Sequence, residues 1–384
     1  MKSLHILKTS DGATWAWRQM RELKLLGVDV QVVLPCIGKM NDEYRKIGIP
    51  VHILDCDIAK MRSLCKFFRT KQLLSKIIDD IKPDILHSHF VGTTLFMRLA
   101  VGRNHGPRRV FQVPGPLHLE SRWIRSAEIW LAGPRDYWIA SCQMTKQIYL
   151  SEGITPARVG FSFYGTDVDA LEAGQAGLLR SSLGLADAAK LVGMVAYAYK
   201  PKRWLGQRRG IKGHEDLIDA VCLLRQQGRD LVLIFAGGGW LGADAYFESI
   251  KSYAKKTLGS RAVFLGNRND VADIYADLDV AVHPSHSENL GGAVESLMSS
   301  VPTVATNVGG FPDIVIPNKT GWLCDPASPV SLASAIAEVL DNPVEAEVYA
   351  KTGHDLVKRE LDVKRTAKQV HDYYKSILTT DGGA

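Results

Sequence analysis

The sequence predicts an α/β protein of two doubly wound parallel sheets, each flanked by helices. Its 384 residues exceed one ordinary hydrophobic core and suit two domains of roughly 150–200 residues each. Short apolar runs alternate with longer helical patterns, the signature of parallel strands joined by crossover helices. That alternation stops and restarts: residues 170–190 are rich in Ala, Gly, Ser and Leu and read as linker plus a short helix.

Before the linker the candidate strands are LHILKT, VDVQVVLP, VHILD, DILHSH, RRVFQVPG, YWIASC and VGFSFYG. After it they are KLVGMVAYAY, LVLIFAGGG, AVFLGN, LDVAVHPS and VPTVATN. The expected domains are residues 1–170 and 171–360. Residues 361–384 form a terminal helix and tail, in which Val363, Ala367, Val370 and Tyr374 recur at helical spacing. That helix is expected to pack back on the first domain or to bridge the two.

Composition excludes several classes. Apolar residues make up 46% of the chain, as in a packed water-soluble protein. No run of about 18 uninterrupted apolar residues exists, so no spanning helix is expected. The opening MKSLHILKTSDG reaches a glycine turn too early for the apolar region of a signal peptide, and a cytoplasmic protein is expected. The 6 cysteines are scattered without a C-x-x-C pair, and most of them read as buried reduced thiols. A net charge of +6 fits an anionic small molecule or an acidic membrane surface, and does not argue for nucleic acid.

Ligands of open α/β sheets sit beyond the carboxyl ends of the strands. That rule selects residues 9–13, 87–89, 114–118, 237–239 and 285–292; two facing rims would line one cleft. The richest of these segments is PSHSENLGGAVESLMSSVPTVATNVGGFPDIV, residues 284–315. A strand runs into a loop with Gly291 and Gly292 and then into a helix, so a phosphate can approach bare backbone and free N–H groups. Glu295, one turn into the helix, suits ribose hydroxyls; Glu288 on the loop suits sugar hydroxyls. On spacing alone, a strand–turn–helix with surface glutamates is equally compatible.

This segment resembles the donor motif of the retaining GT-B glycosyltransferases of glycosyltransferase family 4. The match runs through Pro284, Ser285, Glu288, Gly291, Glu295, Ser296, Pro302, Ala305, Gly309, Gly310 and Asp313. It implies a GT-B fold, an acceptor-binding domain over residues 1–170 and a donor-binding domain over residues 171–360. It implies backbone contacts to donor sugar and phosphate near Asn289, Leu290, Gly291 and Gly292, with Glu295 on the ribose. Only 6 residues separate Glu288 from Glu295, one fewer than the family pattern, so Glu295 keeps its place and Glu288 is displaced.

Elsewhere GIKGHEDLIDA resembles the family's helix start that places Lys212 on the donor diphosphate. A lysine beside a positive helix end suits a bound anion, although a solvated lysine after a glycine turn fits the residues alone. Tyr197 stands where the family has an arginine. The loop KPKRWLGQRRG that follows offers replacements, Arg203 first and Arg209 second, because a guanidinium fork matches two phosphate oxygens. LVLIFAGGG and FLGN resemble the segments that bring Gly238 and Asn267 to the nucleotide. In the first half, Gly12 and Ala13 open a helix and can present N–H groups to phosphate or sugar. DILHSHF matches a family strand and gives His87 and His89, placed on one face by strand alternation and assigned to the acceptor side. With no third ligand nearby in the sequence, no metal is expected there, and none for catalysis. PGPLHLE puts His118 where the family has a histidine on the donor sugar, a structural histidine being the alternative. Glu120 is the only carboxylate near it.

The resemblance therefore implies a metal-independent, retaining hexosyl transfer from a UDP- or GDP-sugar to a saccharide or lipid-linked glycan, in bacterial polysaccharide or glycoconjugate assembly. The leaving phosphate would take the proton of the incoming hydroxyl, while His118, Lys212, Arg203 and Glu288 position and stabilise. A nucleotide-sugar epimerase of the same fold and a catalytically silent sugar-nucleotide-binding module are the alternatives. Residues 60–78 carry 6 Lys/Arg residues interleaved with Met, Leu and Phe, a pattern that suits an anionic membrane surface and a peripheral location at the inner face of the cell membrane. A domain helix with one solvated basic side is the plainer reading.

Overall fold

The computed structural model describes residues 1–104, 106–170, 174–185, 188–203 and 206–379. Parts of the linker and of the cation-rich loop, with the extreme carboxyl terminus, lie outside the described residues. The chain divides into two compact units, residues 1–167 with 360–384, and residues 168–359.

The first unit is a parallel sheet of β1 (Lys2–Ile6), β2 (Asp29–Leu34), β3 (Val51–Ile53), β4 (Ile85–Ser88), β5 (Arg108–Gln112), β6 (Asp136–Ala140) and β7 (Val159–Phe161). Its strand order is β3-β2-β1-β4-β5-β6-β7. The order reverses direction between β1 and β4, the switch point where such sheets open a crevice. Crossovers are α1 (Thr14–Leu25), α2 (Lys39–Lys46), α3 (Leu64–Ile81), α4 (Val91–Val101), α5 (Leu117–Glu120), α6 (Arg122–Trp130) and α7 (Gln143–Ser151).

The second unit begins with α8 (Leu178–Leu183) and pairs β8 (Lys190–Val195), β9 (Leu231–Ala236), β10 (Ala262–Phe264), β11 (Val280–His283), β12 (Thr303–Thr306) and β13 (Trp322–Cys324). The order is β10-β9-β8-β11-β12-β13. Around the sheet lie α9 (His214–Gln226), α10 (Asp244–Leu258), α11 (Val271–Asp277), α12 (Ala293–Met298), α13 (Phe311–Ile314), α14 (Pro329–Asp341) and most of α15 (Pro343–Glu360). Strand β13 is an addition to the sequence reading: three residues after a turn carry too little pattern to register as a strand.

Burial explains the strand sequences. β9 is buried along its whole length, and a strand covered on both faces needs a continuous apolar run. The last helix, α16 (Val363–Thr379), belongs to the first unit. It buries Ala367, Val370, Tyr374 and Ile377 in the core that also holds Ala16, Met20 and Leu23 of α1. Helix α3 buries Thr70, Leu74 and Ile81 and tilts Phe67 onto Phe96, yet leaves Leu64, Phe68 and Leu73 exposed beside Arg62, Lys66, Arg69 and Lys76. Among the described residues no helix is long and apolar enough to cross a membrane.

Candidate active site

Turns leaving the strand ends build a cavity of about 290 Å³ in the second unit. The end of β8 supplies Tyr197 and Tyr199, the end of β9 Gly237, and the turn after β10 Asn267 and Arg268. His283, Ser285 and Glu288 come from β11 and its loop, Gly292 and Glu295 from the start of α12. Lys212 enters from the turn before α9.

That turn is fixed by backbone packing. Gly213 has φ +74°, and a Cβ there would lie 2.0 Å from the Pro284 carbonyl oxygen, so any side chain would drive the Lys212 turn off the β11 loop. The His286 N–H donates to the Ile211 carbonyl at 2.7 Å, and the Thr306 hydroxyl donates to the Ser285 carbonyl at 2.5 Å. Both hydrogen bonds pin the loop on which Glu288 rides.

Lys212 Nζ meets the Glu288 carboxylate, and lies 5.8 Å from the Tyr199 ring centroid. Burial disfavours the ammonium, but the charge and hydrogen bond of Glu288 outweigh it and raise its pKa overall. Glu215 and Asp216 stand in the first turn of α9, so carboxylates already offset part of the positive end beside this lysine. Glu288 bends back over its own loop and accepts the Asn289 N–H at 3.1 Å. Gly291, at φ +46°, leaves that space open, since a Cβ would sit 2.9 Å from the Glu288 carboxylate. The Gly310 N–H donates to the Asn289 carbonyl at 3.0 Å, so the Gly309–Gly310 turn braces the loop from the far side.

Two buried histidines, His283 lining the cavity and His214 at the start of α9, are held neutral. His283 shares a hydrogen bond of 2.9 Å with the Ser296 hydroxyl, and burial, aided by the nearby Lys212 charge, lowers its pKa to about 3. His214 stacks on Phe235 at 5.4 Å between centroids, and burial lowers it to about 4. Sequence reading missed His283, which lies at a strand end outside any charged motif. It also missed Tyr199 and Trp240, which lie 6.1 Å apart between centroids, with Tyr197 5.0 Å from the same tryptophan.

The expected residues separate into two groups. Lys212, Glu288, Glu295, Gly292 and Asn267 line the cavity. Gly238 is buried against Asn267, Gly291 is exposed in the β11–α12 loop against Glu288, and in the same loop Leu290 is buried and Asn289 half-buried. Neither arginine proposed for the diphosphate lines the cavity. Arg203 is exposed, and Arg209 is clamped by Asp216 and Asp219 at the edge of a different hollow. Two carboxylates compensate the Arg209 guanidinium, so it is not a cation in search of an anion. Arg268 lines the cavity instead, with Asp270 as its exposed partner.

In the first unit Gly12 and Ala13 begin α1, where Ala13 takes the left-handed conformation at φ +52°. His118 is buried in α5, its Nε2 3.5 Å from the Tyr149 hydroxyl. Burial lowers its pKa to about 4 against a backbone hydrogen bond at Gly115 that raises it. Glu120, beside it, is exposed. His87 and His89, expected on the acceptor side, are fully buried: the face they share is covered, and their rings are engaged by Tyr374 and Tyr164. The absence of a third imidazole is also corrected. His5 of β1 is the register partner of His87.

Residues 205–356 match the family of glycosyl transferases group 1, and residues 12–169 match glycosyltransferase family 4. The 2-deoxystreptamine glucosyltransferase of Streptomyces kanamyceticus is 31% identical over 44% of this chain and 43% of its own length. The chain thus spans less than half the length of the first curated relatives it matches. The D-inositol 3-phosphate glycosyltransferase of Corynebacterium urealyticum is similar over more of both, 24% identical across 93% of this chain and 88% of that protein. Among solved structures, the Anabaena protein HepE in complex with UDP-glucose gives a TM-score of 0.77 at 19% identity, covering 98% of this chain and 100% of that one. A glycosyltransferase from Rickettsia africae gives 0.76 at 16% identity, covering 99% of each. These likenesses establish the two-domain GT-B fold.

Proposed function

The chain belongs to the group 1 glycosyltransferases of family 4, and from that premise we propose that it moves a hexosyl group, with retention, from a UDP- or GDP-sugar to a hydroxyl of a saccharide or lipid-linked glycan. The observation that carries this reading is the half-buried Lys212–Glu288 pair beside Glu295 in one cavity at the strand ends. A lysine facing such a cavity and held by one carboxylate is ready to exchange it for a diphosphate.

In this reading Lys212 leaves Glu288 as the donor enters, and the N–H groups of the Gly291–Gly292 turn and Arg268 share the phosphate charge. Glu295 accepts from ribose hydroxyls, and Glu288, released, accepts from the donor sugar. Departure of the diphosphate builds negative charge that Lys212 stabilises, and a phosphate oxygen takes the proton of the incoming hydroxyl. His118, neutral near pH 7, is suited to a hydrogen bond with a sugar hydroxyl. We assign charge neutralisation to these groups and not to a metal ion; turnover unchanged by added Mg²⁺ or Mn²⁺ is the expected result. The exposed Leu64, Phe68 and Leu73 among the cations of α3 support peripheral contact with anionic membrane, as a bacterial lipid-linked acceptor would require. Sedimentation with anionic vesicles tests this, and a protein left wholly in the supernatant would remove it.

The deciding experiment incubates the protein with a panel of nucleotide sugars and follows nucleoside diphosphate release with and without acceptors. Acceptor-dependent release, with product of the donor's anomeric configuration by NMR, is expected. A converted sugar in the absence of acceptor would favour an epimerase instead. Failure to bind any nucleotide sugar would sink the transferase reading.

A further inference from the structure

The first unit holds a second cluster of chemistry-bearing side chains, three imidazoles on adjacent strands. His5 of β1 pairs in register with His87 of β4, and His89, two residues on, projects to the same side. All three are fully buried. Their rings stack with centroids 4.8 Å apart for His5–His87, 5.2 Å for His5–His89 and 4.2 Å for His87–His89.

Each ring has one nitrogen engaged by a hydroxyl. His5 Nε2 lies 3.2 Å from Ser3 Oγ, His89 Nδ1 lies 2.9 Å from the Tyr164 hydroxyl, and His87 Nδ1 meets the Tyr374 hydroxyl. His5 Nδ1 is 2.9 Å from His89 Nε2, while His87 Nε2 is buried with no hydrogen-bond partner. One nitrogen from each ring lies within 4.8 Å of the other two.

We propose that His5 Nδ1, His87 Nε2 and His89 Nε2 together bind one divalent transition-metal ion of the zinc type, as a structural site. Two histidines spaced by one residue at the end of a strand, with a third from the neighbouring strand, give three imidazoles on one side of the sheet without distorting the backbone. A hydroxyl stands at the outer nitrogen of each ring and leaves one inner nitrogen per ring to offer an ion, with an outer partner of the kind expected around a ligated imidazole. Burial keeps all three rings below their ordinary pKa and therefore neutral, as a ligand must be. With Zn–N near 2.0–2.1 Å, ligands of a tetrahedral ion stand about 3.4 Å apart, so His5 Nδ1 and His89 Nε2, 2.9 Å apart without the ion, would part by about 0.5 Å and the near-parallel rings would turn to aim their lone pairs at it. Without an ion, one hydrogen bond serves His5 and His89 and the third ring is left bare, which is costly for a buried polar atom. The ion would tie β1 to β4 and, through Tyr374, to α16.

The test uses the full chain, with the exposed thiols of Cys36 and Cys65 alkylated, after treatment with a chelator and dialysis. Titration with Co²⁺ is expected to give visible bands of a nitrogen-ligated tetrahedral ion at one ion per chain, displaced by Zn²⁺. Zn²⁺ is also expected to raise the Tm of the first unit by several degrees, since it binds only the folded site. His87→Asn should weaken Co²⁺ binding by about tenfold or more, whereas His354→Gln in the other unit should leave it unchanged. Full-strength bands in folded His87→Asn would overturn the site. If that variant does not fold, the unaltered protein decides: no bands and no Zn²⁺-dependent rise in Tm overturn the proposal.

Discussion

Lys212 and Glu288 constrain each other, and the chemistry of the pair sets what substitution does to each. Lys212→Ala removes the charge that would meet the departing diphosphate and leaves Glu288 half-buried without its counter-ion. Transfer is expected to fall by about 10²–10³-fold, the usual cost of losing one charge-stabilising group, measured as kcat with saturating donor. Glu288→Gln acts in the opposite sense on binding. It frees Lys212 from its competitor, so a nucleoside diphosphate should bind about fivefold tighter, equivalent to about 1 kcal/mol, while kcat falls because the donor sugar loses an acceptor. Calorimetric titration checks the first part; unchanged or weaker binding would show that Glu288 is not the group the phosphate displaces. The sequence showed that both residues belong to a donor loop. It did not show that they touch, because 76 positions separate them and it is the Gly213 turn seated on Pro284, with the His286 N–H on the Ile211 carbonyl, that brings them together.

At the scale of elements, the buried charges of the first unit hold α4, α6, β5 and β6 in place. Arg98 meets Glu128 at 2.6 Å and Asp136 at 2.9 Å, while Arg109 meets the second Asp136 oxygen at 2.6 Å. The Trp138 indole N–H donates to Glu128 at 2.9 Å, and every one of these side chains is buried. Glu128→Ala leaves Arg98 half-compensated and the indole unpaired, and should destabilise the first unit by about 3–5 kcal/mol in denaturant unfolding. Replacing Glu128 by Gln keeps the hydrogen bonds but not the charge and should cost less. These residues made no motif in the sequence, where RRVFQ and YWIA read only as strands. Periodicity reveals which face is buried, and not which buried polar groups complete one another. The same limit hid His5, since a β1–β4 pairing lies outside any local window. Strand ends, glycine turns and helix starts were legible because local backbone chemistry fixes them.

For the whole molecule, each unit carries histidines locked in the neutral form. His118 in the first unit and His214 in the second are lowered to about 4 by burial, and His283 to about 3. An unfolded histidine titrates near 6.5, so as pH falls below that value the unfolded chain takes up protons that the folded units refuse. Folded pKa values below the unfolded one mean that stability is complete above about pH 6.5 and declines as pH falls toward 4. Each histidine contributes at most about 1.4 kcal/mol per pH unit in that window, so both units should weaken as the pH falls through it. Calorimetry at pH 7.5, 5.5 and 4.5, with chelator present so that no ion holds the other histidines, is expected to show Tm falling in both units. His214→Gln lacks the titrating ring and should flatten the decline of the second unit while lowering its stability at pH 7.5. An unchanged slope in that variant would mean that His214 is solvated and does not oppose protonation.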